Sequence, residues 1–593
     1  MANIRKSHAD HGKVAVAFRH TDGDAREQLN RQLELLIRAG RLDEAVTLLQ
    51  QLDGLYPGHF PYLNLLGELC LKTRDFSGAV NAFSKALQLD SKHPDVYVGL
   101  GLALHEFNHF DGAAASFEIA LLWRPAHHRA MGYRALSLAQ LGRLEEALLL
   151  FDAAIRCAPC DPVHYLNRGQ LLNRMDRHEQ ALDDFSKAVS LNPDEALFQL
   201  GHAAQWYRLR NHEAAMAAID TLVQAGKADL QTLNFRGVLL AEMHRHEEAL
   251  QTYDAALAID PHHPETQFNK ALLLLTLGRF ELGWPLYESR WRRSAAPQMP
   301  RPDSARWDGE VPLNQSVVLV YAEQGLGDMI QFARYVPLIA ARAGHVVFVV
   351  PVALLRVFER MPANVTVQDE ETPLPRHDVH CPLMSLPLLL KTRLNNIPLP
   401  SLELSVASGF RFQGLDAFML QSSIKVGVCW SGNAKHSNDH NRSISFQDFR
   451  NALDGLPAFV SLQKEIRDSD RQAIEQDGRL LQIGDQFSDL SVTAALISQL
   501  DLVITVDTSV AHLAAAMGKP TWILVAARPD FRWMLGRPDS PWYPSATLFR
   551  QSMHGDWAPV LNTVRTRLLS LQAMQGGKEH MGADAHVQVR QSA

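Results

Sequence analysis

A small residue returns every 34 positions, with no insertion, over nearly half the chain: Ala45, Ala79, Ala113, Ala147, Ala181, Ala215, Ala249 and then Gly283. Four positions after each stands a large apolar side chain: Leu49, Phe83, Phe117, Phe151, Phe185, Ile219, Tyr253 and Tyr287. Twelve positions before stands Gly67, Gly101, Ala135, Gly169, Ala203, Gly237 or Ala271. A period of this length marks a supersecondary unit that is stacked rather than one continuous core. Two antiparallel helices approach closely only where their facing residues are small, and the following large side chain fills the gap between neighbouring pairs. Pro57, Pro125, Pro159, Pro193 and Pro261 recur at the unit ends, where a missing backbone donor stops the second helix at little cost. The register predicts an α-solenoid of about eight units over residues 26–293, with the stretch from Ala203 to Lys227 departing furthest from the pattern.

This pattern resembles the tetratricopeptide repeat. Such solenoids present a concave face to extended peptides and carry no chemistry of their own. Asn167 and Asn269 share one position in their units. They would hold a peptide backbone as the asparagine ladder of O-GlcNAc transferase does, or serve as solvated or capping residues.

At 593 residues the chain exceeds what one hydrophobic core supports. Its 46% apolar and 21% charged content is that of a folded protein. A net charge of -7 without concentrated basic surface excludes a nucleic-acid partner. Residues Met1 to His20 lack the apolar run of a signal peptide, and no uninterrupted apolar stretch reaches about 18 residues. A cytoplasmic protein without membrane insertion is expected. The five cysteines make no disulfide framework, and Cys157 and Cys160 form one CxxC with no second ligand pair visible nearby, so they read as buried or inter-repeat thiols.

Beyond residue 293 the period changes. A connector over 294–310 leads into strands alternating with helices. Val317–Tyr321 and Val346–Val350 read as strands with a helix from Phe332 to Ala341 between them, a parallel α/β unit. A second set begins at Ile424–Cys429 and continues with strands at Ala458–Leu462, Leu502–Val506 and Thr521–Val525 and a helix from Ser509 to Met517. The expected organisation is a flexible N-terminus over 1–25, the solenoid over 26–293, a first lobe over 311–400, a connection over 401–423, a second lobe with a final helix over 424–574 and a disordered tail over 575–593.

Two loops invite chemistry. Gly325 and Gly327, between a strand and a helix, allow positive φ and close backbone approach, which lets a substrate sit over the helix start. Asp328 then falls at the N-cap or in the first turn, where it could be only a cap. The loop Asp507-Thr508-Ser509 follows an apolar strand and opens a helix, whose free N–H groups and dipole suit phosphate. His512, three positions after Ser509, would point to the same ligand or pack as a neutral core histidine. Lys464 follows a strand where a sheet's carboxyl end opens to a crevice. Arg442 offers a guanidinium fork for phosphate or a sugar carboxylate. Trp430 and Asn433, after the first strand of the second lobe, would form the mouth of a pocket, although Trp430 reads equally as core. Trp533, Trp542 and Tyr543 read as packing side chains.

Three segments, Tyr321-Ala-Glu-Gln-Gly-Leu-Gly-Asp-Met-Ile-Gln-Phe-Ala-Arg-Tyr335, Val506-Asp-Thr-Ser-Val-Ala-His-Leu-Ala-Ala-Ala-Met-Gly-Lys-Pro520 and Ser540-Pro-Trp-Tyr-Pro544, look like those of bacterial tetratricopeptide glycosyltransferases. These lie near the heptosyltransferase family and are distantly similar to O-GlcNAc transferase. The resemblance implies a GT-B domain of two Rossmann-like lobes that moves a sugar from a nucleotide-sugar donor to a protein or peptide acceptor held by the repeats. It implies Asp328 as general base of an inverting transfer, with Glu323 as the alternative. It implies Thr508, Ser509 and Lys464 on the donor's phosphates, with Asp507 positioning the donor. No Asp-x-Asp metal motif stands where it could help, so metal-independent transfer without a cofactor is expected, the nucleotide-sugar being a substrate. Flagellin or another surface protein is the acceptor most readily implied. A non-catalytic repeat adaptor and a glycolipid-directed transferase are the competing readings.

Overall fold

A computed structural model describes residues 24–573, apart from 295, 297–301, 401, 408, 421, 423 and 437. The first helix begins at Asp24. The rest of the expected flexible N-terminus, part of the 294–310 connector and the expected tail over 575–593 lie outside the described residues. The chain forms two compact units, Met1–Met243 and His244–Ala593.

In the first unit every segment of the 34-residue period is helical, from Asp24–Arg38 and Leu42–Leu55 to Leu230–Glu242. Ala45, Ala79, Ala113, Ala147, Ala181 and Ala215 are fully buried. The partner position explains itself by distance: a Cβ on Gly67 would stand 2.6 Å from the Phe83 ring, and one on Gly101 2.7 Å from Phe117. Pro159 comes directly after the cap of the helix Leu144–Cys157, as a helix stop requires. The weakly patterned sixth unit folds like the others, as Ala196–Arg208 and His212–Gln224 around buried Ala203, Ala215 and Ile219. Asn167 is buried rather than solvated. Cys157 and Cys160 are free and exposed, not buried, because both lie where one helix ends and the next begins.

A polar ladder accompanies the apolar one. Arg134 pairs with Glu118 at 2.8 Å, Arg168 with Asp152 at 2.6 Å and Arg236 with Asp220 at 3.0 Å, each joining the first helix of one repeat to the second helix of the repeat before it. At the corresponding place in the sixth unit Ser186 and His202 meet instead, at 3.2 Å. A half-buried pair of this kind adds little stability by itself but fixes the register between neighbours.

The second unit opens with the helices His246–Ile259, Pro264–Thr276 and Phe280–Tyr287 and a 3-10 turn at Glu288–Arg292. Two parallel sheets follow. The first contains β1 (Ala305–Arg306), β2 (Val317–Tyr321), β3 (His345–Val350), β4 (Val365–Asp369) and β5 (Val379–Pro382), in the order β1-β5-β2-β3-β4. The second contains β6 (Val426–Cys429), β7 (Phe459–Ser461), β8 (Leu480–Leu481), β9 (Leu502–Val506), β10 (Thr521–Val525) and β11 (Ala546–Arg550), in the order β11-β10-β9-β6-β7-β8. Central strands such as β9 and β10 are buried along their whole length, which is why they read as unbroken apolar runs. A helix over 558–573 buries Val560, Leu561, Val564 and Leu568 on one face of the second sheet.

The repeat pattern continues to Arg293, yet the compact boundary falls at Met243/His244. The physical reason is a shared core. Phe280, Trp284 and Tyr287 of the last repeat pack with Phe332, Phe531 and Trp542. Arg290 adds a buried ion pair with Glu323 at 2.7 Å. The connector contributes β1 and the buried Trp307 to the first sheet. The helix expected from Phe332 starts earlier, at Leu326, and is interrupted by a 3-10 turn at Ala333–Tyr335 before Val336–Ala340. Pro337, in the first turn of that last segment, supplies no N–H to continue the earlier helix.

Candidate active site

A cleft of about 950 Å³ opens at the carboxyl ends of both sheets, the place where open parallel sheets bind ligands. Residues Gln324 to Met329, after β2, line it from the first lobe. From the second lobe come Ser431 to Asn433 and Arg442 after β6, Leu462 to Glu465 after β7, Asp507 to Val510 and His512 after β9, and Asp530 with Arg532.

On the first wall, Gly325 is the N-cap of the helix Leu326–Phe332 and Asp328 is its third residue. The Gly325 N–H donates to Asp328 Oδ2 at 2.9 Å, so the capping role is filled. The other carboxylate oxygen is ion-paired with Arg532. Burial pushes the Asp328 carboxyl above the ordinary carboxylate range, and Arg532 opposes that shift. Neither glycine takes a positive φ: Gly325 has φ −79°, and the left-handed residue of this loop is Gln324, at +87°. Gly327 is needed for proximity instead, since a Cβ there would stand 2.6 Å from His512 Cδ2.

His512 cannot give way easily. It is buried, its Nδ1 lies 3.0 Å from the Tyr543 hydroxyl, and its ring stacks on Trp533 at 5.1 Å. Gly327→Ala is therefore expected to cost about 1–3 kcal/mol by overpacking, against which the better helix propensity of Ala recovers at most about 1 kcal/mol. A thermal melt that leaves the variant as stable as the parent would show that the two helices separate without penalty.

Glu323 is absent from the cleft lining. Its carboxylate is turned into the core on Arg290, and burial, outweighing that cation, pushes it up to about 7. As the alternative base it is misplaced, because the strand-to-loop turn that brings Asp328 to the cleft wall turns Glu323 into the core.

On the second wall, Thr508 caps the helix Ser509–Ala516 through its backbone alone; the Ala511 N–H donates to the Thr508 carbonyl at 3.0 Å, and the N–H groups of Ser509 and Val510 have no intrahelical acceptor. Thr508 and Ser509 both line the cleft. Asp507 is pushed up to about 6 by burial and by the like charge of Asp530. The Arg442 Nη1 donates to the Asp507 carbonyl oxygen at 3.0 Å. His512, held neutral first by burial and then by the nearby Arg532, places Nε2 3.9 Å from the Asp507 carboxylate. Lys464 is exposed on the cleft wall with no ion-pair partner among the described residues. Asn433 lines the mouth, its Oδ1 accepting from the Lys435 N–H at 2.9 Å.

Trp430 belongs to the core, fully buried beside Phe446 with its Nε1 donating to Asp470 at 2.8 Å, and it does not reach the cleft. Trp533, Trp542 and Tyr543 are likewise buried packing residues. Sequence reasoning missed Arg532, which joins Asp328 of the first lobe to Asp530 of the second, and Gln463, whose Nε2 donates to the Ser431 carbonyl at 2.9 Å. Arg532 lies in no periodic segment or strand-to-helix turn, so no local pattern marks it, whereas Gln463 stands beside Lys464 at the carboxyl end of β7, the pattern that could have found it.

No helix among the described residues is long and apolar enough to cross a membrane. Tetratricopeptide repeat profiles match residues 30–94, 64–115, 98–162, 162–195 and 236–300. The profile of glycosyltransferase family 9 (heptosyltransferase) matches residues 488–573, which include Asp507, Thr508, Ser509 and Arg532. Protein FlbA of Caulobacter vibrioides is 29% identical over 365 residues, covering 55% of this chain and 59% of that protein. The chain thus spans a little over half the length of this relative. Among solved structures, a tetratricopeptide repeat protein from Parabacteroides merdae is 18% identical over 42% of this chain and 100% of its own, at a TM-score of 0.37. Pseudomonas aeruginosa pilF is 21% identical over 36% and 96%, at a TM-score of 0.31. The chain joins tetratricopeptide repeats to a domain of glycosyltransferase family 9, the heptosyltransferase family.

Proposed function

We propose that this chain transfers a sugar from a nucleotide-sugar donor to a hydroxyl group of a protein acceptor recruited by the repeats, with inversion at the anomeric carbon and without a metal ion. The observation that supports it most is one cleft shared by the carboxylate of Asp328 and the open start of the helix Ser509–Ala516, with Lys464 and Arg442 beside it.

The acceptor oxygen attacks the anomeric carbon while its proton passes to Asp328. The bond from the anomeric carbon to the donor's phosphate oxygen breaks, and the nucleotide leaves with the negative charge that develops. The first-turn N–H groups at Ser509, the hydroxyls of Thr508 and Ser509, and the cations of Lys464 and Arg442 stabilise that charge. Asp507 and Asn433 orient the donor, and neutral His512 adds an uncharged polar contact. A surface protein such as flagellin, modified in the cytoplasm before export, is the acceptor class this reading favours.

The test incubates the purified chain with a panel of nucleotide sugars and an extract of cells lacking the gene, then follows nucleotide release and the intact masses of proteins. A sugar-sized mass increment on one polypeptide is expected. Label entering only the lipid fraction would make the enzyme glycolipid-directed, and no nucleotide release with any donor would make the chain an adaptor.

A further inference from the structure

Three metal-ligand side chains from adjacent repeats converge in the first unit, apart from the transfer cleft. His128 opens the helix His128–Gln140 of the fourth repeat, Asp161 caps the helix Pro162–Arg174 of the fifth, and His164 lies in that helix's first turn. His128 Nδ1 and His164 Nε2 are 2.8 Å apart, and each stands 3.6 Å from Asp161 Oδ2. A tetrahedral Zn²⁺ with bonds of about 2.0–2.1 Å to nitrogen and oxygen separates its ligand atoms by roughly 3.3 Å. The two edges to Asp161 are about 0.3 Å longer than that and the edge between the imidazoles about 0.5 Å shorter, differences that small side-chain rotations can close.

Ordinary hydrogen bonding leaves part of this arrangement unexplained. One proton between the two imidazoles satisfies their contact, but Asp161 Oδ2 lies beyond hydrogen-bond range of either ring. The carboxylate is nevertheless held in place, because its Oδ1 accepts from the Val163 N–H at 3.1 Å. That is how an outer partner orients a ligating carboxylate. His164 is buried.

We propose that His128, Asp161 and His164 form a binding site for a divalent transition-metal ion of the Zn²⁺ class, with two nitrogen ligands, one carboxylate oxygen and a fourth position open to water. The side chains of His128 and Asp161 are 33% and 24% exposed, which leaves the open position accessible. The bound ion clamps the first helices of the fourth and fifth repeats together and fixes the angle between them.

The test uses the full chain carrying Cys157→Ser and Cys160→Ser, so that the exposed thiols cannot supply the binding. After chelator treatment, ZnCl₂ is titrated by calorimetry, and CoCl₂ is titrated by visible absorption. One tight equivalent of Zn²⁺ and an intense tetrahedral Co²⁺ spectrum are expected. With 26 histidines in the chain, weak surface binding is anticipated, so variants decide the matter. His128→Gln and Asp161→Asn, the latter keeping the cap oxygen on Val163, should each lose the tight equivalent. The weakening should exceed the roughly 10–100-fold that loss of an outer partner alone causes, with unchanged far-ultraviolet circular dichroism. A folded parent without a tight equivalent, or variants that retain it at parental affinity, would overturn the proposal.

Discussion

Asp328→Asn is expected to lower sugar transfer by about 10²–10⁴-fold, the contribution of a positioned general base, while donor affinity stays near that of the parent. The amide keeps an oxygen for the Gly325 N–H, so the cap at the start of Leu326–Phe332 survives. It gives up the charge that Arg532 holds, although Arg532 retains Asp530 at 2.6 Å. Some loss of stability therefore accompanies the loss of rate, and the assay belongs well below the variant's melting temperature. Asp328→Ala removes the hydrogen bond from the Gly325 N–H as well, at about 0.5–1.5 kcal/mol more. Transfer at the parental rate by a folded Asn variant would end the base assignment and move it to Asp530, the other carboxylate that Arg532 pairs on the cleft wall.

Rate and stability should respond oppositely to pH. If Asp328 is the proposed base, its deprotonated form acts, so transfer should rise with pH through a value above the ordinary carboxylate range, where burial places this group. The same shift means that the folded chain binds the proton more tightly than the unfolded one. Its stabilising contribution is fully present below the unfolded value and is lost as pH rises through the folded value. Asp507, pushed from 3.8 up to about 6, acts in the same sense over that interval. Chemical denaturation from pH 4 to pH 8 would show a decline to which Glu323, pushed up to about 7, also contributes.

The repeats were legible because their constraint is local and recurs: each Ala touches the next helix, and each Phe or Tyr four positions on fills the same gap. β2, β9 and β10 were legible because burial on both faces writes them as continuous apolar runs. β4 and β5 were not, since β4 is only partly buried and β5 has four residues ending in Pro382. In the sequence Gly327 reads as a point of conformational freedom, whereas what it supplies is space for His512, a residue far along the chain. The ion-pair ladder of Arg134, Arg168 and Arg236 emerges only when the repeats are aligned on one another. So does the cluster of His128 and His164, which stand 36 positions apart, close to one period. Asp507, Thr508 and Ser509 were visible through their strand-to-helix turn, while Arg532, in the 3-10 turn Phe531–Trp533, has no such frame. Its role depends on a partner from the other lobe.

Arg532→Met should cost about 3–5 kcal/mol at neutral pH, the range for removing one partner of a buried ion pair. The lower end applies, because the Asp328 and Asp530 side chains remain 20% and 37% exposed and can draw in water. Met preserves much of the side-chain volume packed over the Phe531 ring at 4.2 Å, so a cavity contributes little. Arg532→Lys should recover only part of the loss, since a point charge cannot bridge two carboxylates as a guanidinium fork does. With the cation gone, Asp328 loses the field that opposes its protonation, and its folded value rises further. By the same linkage, the Met variant's deficit should shrink as pH falls toward 5 and grow toward pH 8. Asp328 would also keep its proton to higher pH, so the rising limb of the transfer profile should move in the alkaline direction. A deficit independent of pH, together with an unmoved limb, would mean that Arg532 serves packing alone and does not set the protonation of the base.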